Sequence, residues 1–294
     1  MPESPSVPGF RSGSAELPSI LQTILADKAA RLASGKRNVP QKELQRICRD
    51  LPPTRDFRAA LDPAQSPRSA RAVEYRSRAT QRAVRIIAEF KRRSPSRGVI
   101  QPHFDLDQIH RAYERGGADA YSVLTEEDHF AGSVEDLKAL RKMAELPLLR
   151  KDFLFDPYQI YESRAAGADA LLLIVAALED RRLSDLIALS RELVMEALVE
   201  VHSPGELRRA LECGAVIVGI NNRDLHSFEV DIGISLELAR SLPGHVTGVS
   251  ESGIKGQEDI RRLQDAGVHA FLVGEHLMRA EDPGLELRRL KGVV

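Results

Sequence analysis

From residue 84 onward, short apolar runs alternate with longer segments whose apolar residues recur at helical spacing. Short runs of aliphatic and β-branched residues bounded by turns predict buried strands, whereas a period of about 3.6 residues predicts helices. We therefore predict eight strands, each followed by a helix. The strands are predicted at residues 84–90, 118–124, 147–151, 169–175, 196–201, 215–220, 246–250 and 270–274.

The helical segments end in a repeated signal for the start of the next strand. Gly-Ala-Asp stands at residues 117–119 and 167–169, and Gly-Ala at residues 214–215. Glycine supplies the left-handed cap that ends a helix, and its recurrence indicates repeated αβ units. The helices are predicted near residues 105–115, 133–144, 157–166, 179–193, 204–212, 233–241, 256–266 and 282–290.

Eight near-continuous apolar strands with helices between them predict an α/β fold, a single closed parallel (β/α)8 TIM barrel. An open doubly wound sheet is the alternative, but no G-x-G-x-x-G sequence follows the first strand. We expect residues 18–294 to form one barrel domain, which includes extra N-terminal helices up to about residue 83.

The chain ahead of the first strand predicts helices without strands. Helical spacing of apolar residues appears over residues 18–33, and a second helix is predicted over residues 41–50. The basic segment 66–83 is predicted to be helical from Arg71, either as a solvated face, which we favour, or as an approach surface for an anionic ligand. Residues 1–17 are rich in Pro, Ser and Gly and predict a disordered lead-in.

The composition argues against several classes of partner. The chain has 42 basic and 43 acidic residues, so its net charge of −1 favours neither nucleic acid nor an anionic membrane. No apolar stretch is long enough to span a membrane, and the N-terminus lacks the apolar core of a signal peptide, so we expect a cytoplasmic protein. Cys48 and Cys213 lie far apart and are expected to be reduced thiols without metal-site spacing.

Polar residues gather where the predicted strands end. Glu89 and Lys91 close the first strand and point the same way, because side chains alternate between the faces of a strand. Lys151 ends the third strand and Glu200 the fifth. Each of them taken singly could be a solvated surface residue, but a barrel places all its strand ends around one mouth, where acid–base sites lie. Further polar residues at these ends are Thr125, Glu126, Asn221, Arg223, Glu251 and Ser252.

The last two strands are followed by small residues that predict a phosphate site. Ser252 and Gly253 follow the seventh strand, and Gly274 and Glu275 follow the eighth. The loops after these two strands often bind phosphate through backbone N–H groups, and glycine permits close approach of a ligand. The alternative is that the glycines only close turns.

Taken together, the strand-end segments resemble the indole-3-glycerol-phosphate synthase family of tryptophan biosynthesis. The resemblance implies ring closure of 1-(o-carboxyphenylamino)-1-deoxyribulose 5-phosphate to indole-3-glycerol phosphate, with loss of carbon dioxide and water and with no metal or organic cofactor. It implies an anionic sugar phosphate with an anthranilate ring as partner, no nucleic acid, no membrane, and a monomer or weak homodimer. The matching segments, in the family's order, are IIAEFKRRSPSRG, SVLTEEDHFAGS, LPLLRKDFLFDPYQIYESRAAGADALLLI, LVEVH, IVGINNRDL, VSESGI and FLVGEHLM.

The resemblance also implies a role for each strand-end residue. Lys151 is the general acid of ring closure, Glu200 the general base of dehydration, and Lys91 the holder of the substrate carboxylate. Glu89 and Asn221 support the transition-state charge and the hydroxyls. Arg223, Glu251 and Ser252 complete the polar ring; Ser94, Ser252, Gly253, Gly274 and Glu275 bind phosphate; and Leu124, Phe130, Phe153 and Leu173 form an apolar wall around the anthranilate ring.

A lysine can act as an acid at neutral pH if burial and a nearby cation lower its pKa. Lys91 is the candidate neighbour for Lys151, and we expect such a lowering.

Two other functions stay open at the level of sequence. Phosphoribosylanthranilate isomerase, another phosphate-binding barrel, needs a Cys/Asp pair at strand ends, and neither Cys48 nor Cys213 lies at one. A catalytically idle barrel that serves as a partner subunit predicts lost charge at the strand ends, yet every expected position is filled.

Overall fold

The computed structural model describes residues 18–62, 64 and 83–294. The predicted lead-in and the helix predicted from Arg71 lie outside these residues. Eight parallel strands close into a barrel in the order β1-β10-β9-β8-β7-β6-β5-β4, which confirms the (β/α)8 prediction and excludes the open doubly wound sheet. The barrel strands are β1 (Arg85–Phe90), β4 (Ala120–Leu124), β5 (Leu148–Lys151), β6 (Ala170–Ile174), β7 (Glu196–Val201), β8 (Ile217–Asn221), β9 (Thr247–Glu251) and β10 (Ala270–Val273).

Helices separate consecutive barrel strands, close to the predicted positions. The sequence prediction missed a short hairpin, β2 (Arg93–Ser94) with β3 (Gly98–Val99), and the five-residue helix Glu275–Arg279. The helices that match predictions are Leu106–Gly116, Val134–Met143, Pro157–Ala165, Asp180–Glu192, Pro204–Glu212, Gly233–Leu238 with a 3₁₀ turn at Ala239–Ser241, Gln257–Asp265 and Pro283–Lys291.

The aspartates of the Gly-Ala-Asp repeats join neighbouring strands at the end of the barrel opposite the mouth. Asp119 accepts a hydrogen bond from the backbone N–H of Ile86, and Asp169 accepts one from Leu148. Each carboxylate thus satisfies a backbone N–H at the start of the neighbouring strand, a buried donor that would be costly to leave unpaired. The repeat that marks the strand starts in the sequence therefore stabilises the closure of the sheet.

Strand register decides which side chains share the mouth. Partners across parallel strands point to the same face, and Lys151 is the partner of Leu124 while Glu200 is the partner of Ile174. Asn221 is the partner of Glu251. The ends of β5, β7, β8 and β9 therefore present their polar residues to one space inside the top of the barrel.

In the described part of the chain before β1, three helices are present: α1 (Ser19–Asn38), α2 (Gln41–Asp50) and α3 (Phe57–Leu61). The first two confirm sequence predictions, whereas α3 was not predicted. Phe57 and Leu61 of α3 are buried where this helix packs on β1 and β4. Helix α2 packs on the helix Pro157–Ala165. The extension therefore covers the barrel wall.

Neither cysteine forms a disulfide. Across the described parts of the chain, no helix combines the length and apolarity needed to cross a membrane.

Candidate active site

Lys151 occupies the centre of the barrel mouth, between two buried carboxylates. Its Nζ donates a hydrogen bond to Glu251 Oε2 at 2.5 Å and lies 3.5 Å from Glu200 Oε2. Glu200 and Glu251 are 3% and 1% exposed. The predicted acid and the predicted base therefore lie within ion-pair distance of each other.

The expected lowering of the pKa of Lys151 is wrong. Burial does act to lower it, but the carboxylates of Glu251, Glu200 and Glu89 outweigh burial and raise the pKa of Lys151 above its ordinary value. The cation expected to lower it, Lys91, is instead engaged with Glu89. Lys151 is therefore a fully protonated ammonium in the site.

Glu251 is a buried carboxyl whose protonation changes near neutral pH. Burial raises its pKa to about 7, against the opposing pull of Lys151 and with a further push from the Glu200 carboxylate. Its Oε1 has no hydrogen-bond partner among the described residues. This atom lies against Gly219, where an added Cβ would stand only 2.1 Å away. Glycine at this position is therefore what leaves room for Glu251.

Gly219→Ala is expected to displace Glu251 and to reduce activity. The added methyl group overpacks a strand interior, which typically costs about 1–3 kcal/mol, and it pushes the carboxylate away from Lys151. Thermal unfolding should show a lower Tm, and kcat should fall at least about tenfold. Gly244→Ala is the matched control, because a Cβ there meets no atom within 4 Å. An unchanged kcat in Gly219→Ala would contradict this role for the glycine.

Glu89 and Lys91 form a second acid–base pair at the end of β1. Lys91 Nζ lies 3.3 Å from Glu89 Oε1, which confirms that the two side chains share a face. Lys91 also lies 5.6 Å from the ring centre of Phe130, a cation–π distance. Glu89 is buried, and a Cβ on Gly274 would stand 2.3 Å from its Oε1. Gly274 thus leaves space for the carboxylate of Glu89.

Asn221 links Glu200 to the loop after β9. Its side chain hydrogen-bonds Glu200, and its Oδ1 accepts a hydrogen bond from Ser252 Oγ at 3.0 Å. Ser252 and Gly253 both have left-handed backbone, with φ of 65° and 81°. A left-handed serine is strained by roughly 1–2 kcal/mol, and such strain concentrates at ligand-binding loops. The loop therefore stands in a fixed, unusual conformation at the mouth.

The carboxylate of Glu275, which follows the eighth strand, lies among arginines. Its carboxylate is 3.6 Å from Arg97 Nε and 3.7 Å from Arg223 Nη2, and it accepts a hydrogen bond from Arg279. Nearby, the buried hydroxyl of Ser94 has no hydrogen-bond partner among the described residues. This side of the mouth therefore combines positive charge with an unused donor, which suits an anion.

The apolar wall differs from the prediction at one position. Leu124, Phe130 and Phe153 line the cavity, but Leu173 does not. Leu173 is the partner of Val199 and faces away from the mouth, whereas its neighbours Leu172 and Ile174 face inward. All five residues of β6 are buried, so the sequence carried no alternation that would fix the face.

Helix α1 supplies a wall that the sequence analysis missed. Ile20, Leu21 and Ile24 line the cavity from above the strand ends. The spacing of Ile20 and Ile24 predicted a buried helical face, but that spacing gives no sign of which surface the face covers.

Lys28 lies on the same face of α1 as Ile20 and Ile24, and its ion pair with Asp152 holds the helix beside Lys151. Its Nζ lies 2.8 Å from Asp152 Oδ1, and Asp152 directly follows Lys151. Asp152 also accepts hydrogen bonds from Arg150 and Thr125. Burial alone would raise the pKa of Asp152, but the two cations lower it and keep it ionised. A lysine one turn after Ile24 on an apolar face was the signal that could have revealed this contact.

The mouth encloses a cavity of about 740 Å³, a size typical of small-molecule sites. Among the described residues, no cluster of three or more His, Cys, Asp or Glu side chains could hold a metal ion. The residues predicted for the site that line this cavity are Glu89, Lys91, Ser94, Leu124, Phe130, Lys151, Phe153, Glu200, Asn221, Arg223, Glu251, Ser252, Gly253, Gly274 and Glu275.

The fold and the cavity define a TIM-barrel enzyme with an acid–base site for an anionic small molecule. Residues 21–290 match the family described as indole-3-glycerol phosphate synthase. The chain belongs to the indole-3-glycerol phosphate synthase family.

Curated relatives carry the same family name, and a solved structure shares the fold. Indole-3-glycerol phosphate synthase from Dehalococcoides mccartyi is 46% identical over 275 residues, which cover 92% of this chain and 99% of the relative. The enzyme of the same name from Verminephrobacter eiseniae is 44% identical and is 98% covered. The structure of 3-hexulose-6-phosphate synthase from Salmonella typhimurium aligns with a TM-score of 0.58 at 16% identity, over 71% of this chain and 98% of that one, and shows the fold alone.

Proposed function

We propose that the barrel mouth closes the indole ring of 1-(o-carboxyphenylamino)-1-deoxyribulose 5-phosphate, with Lys151 as the acid and Glu200 as the base. The family membership of the chain supports this carboxy-lyase activity. The observation that carries the assignment of roles is the position of the Lys151 ammonium, in contact with both Glu251 and Glu200 at the centre of the cavity. Cofactors are not required by the chemistry described below.

Ring closure joins the carboxylate-bearing carbon of the aromatic ring to the ketone carbon of the sugar chain. The ketone oxygen gains negative charge as this bond forms and needs a proton. Lys151, protonated because of its carboxylate neighbours, donates that proton to the developing alkoxide. The carboxylate then leaves as carbon dioxide, and the electron pair of the broken bond restores the aromatic ring.

Dehydration needs a base and an acid on the ring-closed alcohol. Burial would raise the pKa of Glu200, but Lys151 and His202 lower it, so Glu200 stays ionised and able to accept a proton. Lys91, which pairs with Glu89 at the end of β1, can protonate the departing hydroxyl. Glu200 takes a proton from the methylene carbon next to the nitrogen, the C–O bond of the hydroxyl breaks, and the carbon–carbon double bond of the five-membered ring forms as water leaves.

Binding holds the two reacting carbons together. The apolar wall of Leu124, Phe130 and Phe153 suits the aromatic ring, and the Lys91 ammonium suits its carboxylate. The hydroxyls and phosphate fit the opposite side, with Ser94, Arg223 and the loops at Ser252–Gly253 and Gly274–Glu275. Fixing both ends of a flexible substrate in this way can account for much of the rate.

An assay with the carboxyphenylamino substrate tests this function. Purified protein should produce indole fluorescence and carbon dioxide in the presence of EDTA, because no step uses a metal. An isomerase or an idle barrel would give no indole signal, and such a result would sink the proposal. We further infer a cytoplasmic enzyme that is a monomer or weak homodimer, which gel filtration over a range of concentrations can check.

A further inference from the structure

His202 lies next to Glu200 but does not line the cavity. The two residues are two apart at the end of β7, so their side chains point to the same face. His202 Nε2 is 3.4 Å from Glu200 Oε1, and its side chain is only 13% exposed. His202 is absent from the residues that line the cavity. It therefore touches the proposed base without reaching the space for the substrate.

A second carboxylate fixes the orientation of the imidazole. Glu206 Oε2 lies 3.2 Å from His202 Nδ1 and accepts the backbone N–H of His202 at 2.8 Å. Glu206 stands in the first turn of the helix Pro204–Glu212, which Ser203 caps. With Nδ1 directed to Glu206, Nε2 is left to face Glu200 at 3.4 Å, and it is buried and makes no hydrogen bond to any described residue. The order of groups is carboxylate, imidazole, carboxylate.

The charged groups around His202 and Glu200 come from three neighbouring elements. Lys151 of β5 lies on the far side of Glu200, Glu251 of β9 lies next to Lys151, and Glu206 belongs to the following helix. Burial acts to lower the pKa of His202, but Glu206, Glu200 and Glu251 outweigh it and raise that pKa. When His202 is protonated, Glu200 stands between two cations, the Lys151 ammonium and the His202 imidazolium.

We propose that His202 is a positioning residue for the general base: held by Glu206, it keeps its Nε2 next to Glu200 and thereby keeps that carboxylate ionised during dehydration. The inference rests on the proposed function, in which Glu200 accepts the proton. His202 itself keeps its proton and makes no bond to the substrate. Its removal should thus change the ionisation of Glu200 more than the binding of substrate.

Kinetics as a function of pH provide the first test. In His202→Leu we expect kcat to fall about tenfold while KM stays within about twofold, because the cavity wall is intact. The acid limb of the kcat profile should move up by about one pH unit, the size that the loss of one close cation gives. His202→Gln, whose amide can still donate to Glu200, should recover part of kcat. His245→Leu, an exposed residue at the other end of the barrel, is the matched control.

The second test does not depend on activity. NMR titration of the His202 imidazole should give a lower pKa in Glu200→Gln and in Glu206→Gln than in the wild-type protein, because each change removes a facing carboxylate. An unaltered acid limb in His202→Leu, or an unaltered His202 pKa in Glu200→Gln, overturns the proposal. If His202→Leu does not fold, His202→Gln and the titration decide. A wild-type protein without synthase activity would refute the proposed function, while the titration would still report on the contact.

Discussion

Lys151→Ala is expected to lower kcat by about 10³-fold or more while the barrel stays folded. General acid catalysis is typically worth about 10²–10⁴-fold, and here the lost ammonium also stabilises charge at the ketone oxygen. Single-turnover assays should show that ring closure itself is slowed, with no intermediate accumulating. Circular dichroism should be unchanged, because Glu251 and Glu200 can share a proton when the cation is gone.

Two further variants make the Lys151 result specific. Lys151→Met fills the same volume without charge and should be as inactive as the alanine variant. Lys138→Ala removes an exposed lysine that pairs with Glu135 on the barrel surface, and it should retain wild-type kcat. Turnover within about tenfold of wild type in Lys151→Ala would rule out Lys151 as the acid.

Glu200→Gln is expected to stop the reaction after the ring has closed. The amide keeps the shape and the contact with Lys151 but cannot accept a proton, so dehydration should slow by about 10²–10⁴-fold. Rapid quenching followed by mass spectrometry should reveal a species with the mass of the product plus one water. Carbon dioxide should still be released in a first-turnover burst, because decarboxylation precedes the step that Glu200 assists.

The control for this variant is Glu212→Gln, which neutralises an exposed carboxylate at the end of the next helix. It should leave both half-reactions unchanged. If Glu200→Gln slows ring closure and accumulates nothing, the base for dehydration lies elsewhere in the mouth, and Glu251 becomes the candidate because its pKa is about 7.

The strand ends could be located from the sequence because the apolar runs mark where each strand stops and the parallel barrel brings those ends together. Lys151 and Glu200 each terminate an apolar run, and parallel strands in a closed barrel bring such ends to one mouth. The face of Leu173 could not be determined, since β6 is apolar on both sides. The direction of the pKa shift of Lys151 could not be predicted either, because it depends on how many carboxylates surround the ammonium in three dimensions. Helical spacing identified the buried face of α1 but gave no sign that it covers the cavity.

The ion pair between Lys28 and Asp152 limits how this barrel can be re-engineered. A shortened chain that starts at β1 would keep all eight strands, yet it would leave Asp152 buried with one cation fewer and open the side that α1 covers. Grafting new chemistry onto this scaffold, or permuting its termini, therefore requires residues 19–38 to be carried along. Helix α1 lies outside the eight βα units, but any redesigned version of this barrel has to include it.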